Sequence, residues 1–143
     1  MQELQDLAEK VKNQLDLNYD SKSVKYLEAF IERQRGSFEG EDLEGLINSI
    51  GAFLGQCVIT NYGGQWQLDP ETQQTCIAFD DKNKVYPFSK TAKQFENGLE
   101  ESVYSFYTII PVVFKDQISI KHKAGAAQEY NEYAGVKKWW KFW

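Results

Sequence analysis

The sequence predicts an α+β domain, with helices packed on one face of a small antiparallel sheet of three to four short strands. Three observations predict it. Apolar residues recur at helical spacing from residue 3 to about residue 61. A double glycine, Gly63 and Gly64, then opens a run of short alternating segments divided by turn residues. Helical spacing returns beyond residue 91. At 143 residues the chain has the size of one domain, 1–143, with 116–143 read as a C-terminal appendage packed on the core or extending from it.

Residues 3–16 place Leu4, Leu7, Ala8, Val11 and Leu15 on one helical face. LNYDS breaks that helix, and Ser21 or Ser23 is expected to cap a second one over 22–35, with Val24, Leu27, Phe30 and Ile31 inward and Gly36 ending it. Four acids follow, Glu39, Glu41, Asp42 and Glu44. Their spacing fits no calcium loop, whereas acids are favoured where a helix begins, beside its unpaired N–H groups. A third helix is expected over 41–61, with Leu43, Leu46, Ile47, Ile50, Leu54, Cys57 and Val58 as its stripe. Gly51 and Gly55 interrupt it. Each costs about 1 kcal/mol in a helix interior, so the pair predicts a second backbone or a bulky ring pressed onto that face.

Trp66 and Leu68 alternate with Gln65 and Gln67 as a first strand. TCIAF is the second and VYPF the third, with DPETQQ and DDKN as turns. Pro87 marks the third as an edge or its end. Thr91 and Gln94 have capping-box spacing and open a fourth helix over 91–109, lined by Ala92, Phe95, Leu99, Val103, Phe106, Tyr107 and Ile110. Pro111 ends or kinks it. QISIK, from Gln117, has strand alternation, and a last helix is expected over 126–140.

The stretch LINSIGAFLGQCVITNYGGQWQLD resembles the core motif of an uncharacterised bacterial domain family of unknown function. That pattern is a helix carrying GAxLG, then GGxW, two strands and YPF. Here it is Gly51, Ala52, Leu54, Gly55, Gly63, Gly64, Trp66, Tyr86, Pro87 and Phe88, and GLEESVYSFY is similar to the family's next helix. The resemblance spans residues 25–110 and implies a fold without an activity.

Little in the sequence carries chemistry. Cys57 and Cys76 read as two buried apolar residues, or as a pair joined across a helix–strand contact. His122 has no cysteine or carboxylate at zinc spacing. A Cys57–His122 nucleophile pair is disfavoured because Cys57 sits on a core stripe. Glu100 and Glu101, adjacent on a helix, point about 100° apart, and Asp80 with Asp81 reads as a solvated turn. No phosphate or dinucleotide glycine motif occurs. No catalytic residue, cofactor or metal site is expected, and an enzyme is the less favoured class.

Charge and aromatics say more. Residues 1–46 hold 11 acids and 6 bases, whereas residues 115–143 hold 6 lysines and 3 acids. The whole lacks the cationic footprint that nucleic acid requires. The N-terminus has no apolar secretory core, and no stretch is read as approaching the ~18 apolar residues of a membrane span, so a cytoplasmic location is expected. The sequence finishes VKKWWKFW. Trp139, Trp140 and Trp143, with Tyr62 and Trp66, are the candidate binding residues. Trp66 reads as core or as the lining of a groove. The expected function is a small soluble protein-binding or regulatory module of immunity type, with a protein partner or a second copy. The alternatives are a membrane-surface adaptor acting through the Trp/Lys tail and a small-molecule enzyme with a cleft near Trp66.

Overall fold

The computed structural model describes residues 1–118. His122, the helix expected over 126–140, most of QISIK, and Trp139, Trp140 and Trp143 lie outside the described residues. Within them the chain is α+β: five α-helices and a three-stranded antiparallel sheet.

Helix α1 (Gln2–Leu15) turns off at Asp16, whose φ is 54°. Helix α2 (Ser21–Gln34) is capped by Asp20 rather than by Ser21 or Ser23. The Asp20 carboxylate accepts the Ser23 N–H at 2.8 Å. The Ser23 hydroxyl instead reaches back to accept the Asn18 N–H at 3.0 Å. The pair is a variant of the capping box in which the return bond lands on Asn18, two residues before the cap, instead of on the cap itself.

Helix α3 (Gly40–Tyr62) is the central element. Ile50, Phe53, Leu54, Cys57 and Val58 are buried along it, and α1, α2, α4 and α5 all contact it. By length and composition it is apolar enough to cross a membrane, which corrects the expectation that no stretch comes near that size. In this fold its apolar surface builds the core.

Gly63 (φ 94°) and Gly64 (φ 86°) make the exit that needs positive φ. Strands β1 (Gln65–Leu68), β2 (Thr75–Ala78) and β3 (Lys84–Val85) pair in sequence order. Register sets Trp66 opposite Ile77, and Ile77 opposite Val85. This row of buried residues is the face turned to α3. Strand β3 stops before the expected YPF. Pro87 is the first residue of α4 (Pro87–Asn97), where its missing N–H leaves nothing unpaired.

The single helix expected over 91–109 is three pieces. Helix α4 ends at Gly98 (φ 80°), a 3-10 turn covers Gly98–Glu101, and α5 runs Val103–Val113. Ser102 caps α5, accepting the N–H groups of Tyr104 and Ser105 at 3.1 and 3.2 Å. Thr91 is inside α4 and no cap: its hydroxyl donates to the Pro87 carbonyl at 2.8 Å. Leu99, expected inward, is 58% exposed because the break rotates it away. Pro111 lies within α5, which ends only when the Phe114 N–H reaches the Ile110 carbonyl. Ile118 is buried but belongs to no strand.

Candidate functional site

Two glycines of α3, Gly51 and Gly55, each hold a ring. A Cβ on Gly55 would stand 2.1 Å from Cη2 of Trp66, and one on Gly51 would stand 2.5 Å from Cδ1 of Phe88. The rings neighbour each other, centroids 5.6 Å apart. Small residues on the helix thus let β1 and the start of α4 close on it. Of the candidate binding residues, Trp66 is 8% and Tyr62 5% exposed. Tyr62 packs on Tyr107, with ring centroids 5.0 Å apart. Both are core residues at the C-terminal half of α3, and Gly55 and Phe88 fill the space beside Trp66.

A polar set ties α2 to α4 and α5. Gln94 is fully buried. Its carbonyl accepts the Val103 N–H at 2.8 Å, and its amide donates to the Glu28 carbonyl and the Glu32 carboxylate, each at 3.0 Å. Ser102 donates to the Glu28 carboxylate. Arg35 donates to the Phe95 and Glu96 carbonyls at 3.1 and 3.3 Å, completing acceptors that the end of α4 leaves open. Lys90, 4% exposed, meets Glu101 at 2.6 Å. Burial pulls its ammonium below the ordinary lysine range, with Glu101 opposing. These groups hold helices together across the break at Gly98.

A second polar set closes the β1–β2 turn. Tyr86 donates to Asp69 at 2.5 Å, the Glu71 N–H bonds the same carboxylate at 3.0 Å, and Lys84 stands 3.7 Å away. The Tyr86 hydrogen bond and the turn N–H hold Asp69 down at about 2. The same bond, with burial, pushes Tyr86 up to about 12. Neither group exchanges a proton near neutral pH, so the pair is built for geometry rather than acid–base work. Asp80 accepts the Lys82 and Asn83 N–H groups, confirming a turn. Cys57 and Cys76 are free and buried, not joined. Burial pushes both thiols up, away from the reactive thiolate. Among the described residues no group of three or more His, Cys, Asp or Glu is placed to hold a metal.

What remains is surface. A groove of about 640 Å³ runs between α1, α3 and α4 past Leu4, Leu7, Asn48, Thr75 and Ser89. A more apolar one of about 310 Å³ lies between α1, α2 and α3, over Val11, Leu15, Phe30, Leu46 and Ile50. On the outside of α2, Tyr26 and Phe30 lie 6.3 Å apart, and the Arg33 guanidinium covers them at 5.5 and 5.8 Å. Tyr26 is 39% exposed. Glu39, Glu41, Asp42 and Glu44 are exposed at the start of α3. Sequence reasoning placed Phe30 inward and passed over Tyr26 and Arg33. The available signal was their i, i+4, i+7 spacing, which sets all three on one stripe. No protein-family model, curated protein or solved structure matches the chain.

Proposed function

We propose that the chain is a protein-binding, regulatory module of immunity type, and that its partner meets the aromatic–guanidinium stripe of α2. The stacking of Arg33 over Tyr26 and Phe30 carries this reading. Tyr and Arg dominate binding hot spots, because a rigid ring and a planar cation bury much area for little lost rotamer freedom. Here the ring contacts already hold the guanidinium over the stripe before a partner arrives, which lowers the ordering cost of association. The acids at the start of α3 would steer a basic partner. A cytoplasmic protein is the favoured partner and a second copy the next. Nucleic acid is disfavoured by the acidic balance, and a membrane surface is the weaker alternative. The resemblance to a bacterial domain family of unknown function belongs to this proposal and adds a fold, not an activity.

The test compares the full chain with a Tyr26→Ser/Arg33→Glu variant as baits in native lysate of the source cells. Both sites are surface positions, so the melting temperatures should agree within a few degrees. The reading expects a protein recovered in amounts comparable to the wild-type bait and lost with the variant. Equal recovery by both baits, or recovery of bait alone, refutes it.

A further inference from the structure

The apolar groove between α1, α2 and α3 has an occupant in this chain's own sequence: we infer that Lys137–Trp143 seats there. The inference shares Phe30 and the acids at the start of α3 with the partner proposal, but it concerns what covers the groove rather than what meets the outer stripe of α2, and its test reads the tail itself rather than a recovered partner.

The groove's chemistry selects the occupant. Its floor is Val11, Leu15, Phe30, Leu46 and Ile50. Gly45 lines it with open space where a side chain would be, nothing lying within 4 Å of its Cβ position. Glu39, Glu41, Asp42 and Glu44 gather at the same end of α3, with Asp42 one turn before Gly45 and Leu46 and Glu41 one turn before Gly45. An apolar trough with acids at one end calls for large rings interleaved with cations. KKWWKFW has that composition, with Trp139, Trp140, Phe142 and Trp143 among Lys137, Lys138 and Lys141. The larger groove past Asn48, Thr75 and Ser89 is more polar, so it matches large rings less well.

Charge and reach agree. Residues 1–118 carry 19 acids and 11 bases, net −8, while residues 119–143 carry five lysines and two glutamates, net +3. The 18 residues from 119 to 136 span up to about 60 Å when extended. A domain this size has a radius of gyration of about 13–14 Å, so every face is within reach. Tethering presents the segment at an effective concentration on the order of millimolar. That favours the intramolecular site over a second molecule at ordinary protein concentrations. Burial would also remove four exposed rings that otherwise invite association.

The test uses the tail's own fluorescence. Trp66 is buried whatever the tail does, so Trp139, Trp140 and Trp143 dominate the change in acrylamide quenching. The full chain is compared with Gly45→Arg, which puts a cation into the groove at a helical position with room for it and with better helix propensity. Gly45→Ala serves as the control for the backbone. A tail reversed to glutamate at positions 137, 138 and 141 tests the charge argument without touching the fold.

The inference expects strong protection in the full chain and in Gly45→Ala. It expects several-fold greater quenching and red-shifted emission in Gly45→Arg and in the reversed tail, all at monomer mass with the helical signal intact. Equal quenching in all four chains overturns it. So does protection that grows with protein concentration alongside a dimer mass, since the occupant is then a second copy. Protection seen only with anionic vesicles overturns it in favour of a lipid surface.

Discussion

Gly55→Ala is the sharpest probe of this fold, because two opposed effects are separately known. The added methyl improves helix propensity by about 1 kcal/mol. It also puts a Cβ 2.1 Å from Cη2 and 2.4 Å from Cζ2 of Trp66, where carbon atoms settle at about 3.5–4 Å. The ring must therefore retreat by more than 1 Å. Phe88 stands beside it, and Ile77 is opposite it in the sheet, so the retreat displaces core residues. Overpacking of that kind costs about 1–3 kcal/mol or more. The net expectation is a loss of about 0–2 kcal/mol. Gly45→Ala makes the same change in the same helix with nothing within 4 Å, and should gain about 1 kcal/mol. The two variants should thus differ by the overpacking cost alone, about 1–3 kcal/mol, in urea unfolding. A Gly55→Ala/Trp66→Leu double mutant should show favourable coupling, since the smaller side chain clears the space. If Gly55→Ala stabilises as much as Gly45→Ala, the ring does not rest on the helix and the packing account of α3 is wrong.

Three further outcomes are expected. Gln94→Ala should cost about 3 kcal/mol or more, by leaving buried groups on α2 and α5 without partners; a loss below about 1 kcal/mol in urea unfolding would show that the tie is idle. Asp69 is held at about 2 against an ordinary 3.8, so its contribution is complete above about pH 4 and is lost as pH falls towards 2. The acid side of a melting-temperature profile should therefore be flatter in Asp69→Asn, and profiles of equal slope would contradict the Tyr86 contact. Cys57 and Cys76, buried and with raised thiols, should resist a thiol reagent at neutral pH until urea unfolds the chain; rapid labelling of the native protein would refute their burial.

Most of the helices were legible because their apolar spacing matches the faces that pack. The ring contacts on Gly51 and Gly55 were legible as a cost needing a return. The break at Gly98 was not. Phe95, Val103, Phe106 and Ile110 keep near-helical spacing across it, so periodicity alone joins what Gly98 and Ser102 separate. Thr91 and Gln94 misled for a related reason: the Thr91 hydroxyl is spent on the Pro87 carbonyl one turn back inside α4, and Gln94 on tertiary hydrogen bonds that no local pattern encodes. Pro87 suits the end of a strand and the first turn of a helix equally well, and only the fold chose. The outer stripe of α2 was obscured because Phe30 serves both the groove and the surface, and an apolar residue at helical spacing is first read as core.

The ties around Gln94 have a consequence during synthesis. Glu28, Glu32 and Arg35 bond to groups 60 to 74 residues later in the chain. At roughly 5–20 residues per second, α2 waits some 4–15 s on the ribosome before α4 and Ser102 follow it out. Until then α1, α2 and α3 form an unfinished assembly whose apolar faces have no lid, and its charged residues must stay hydrated. That interval is when a chaperone would find this chain.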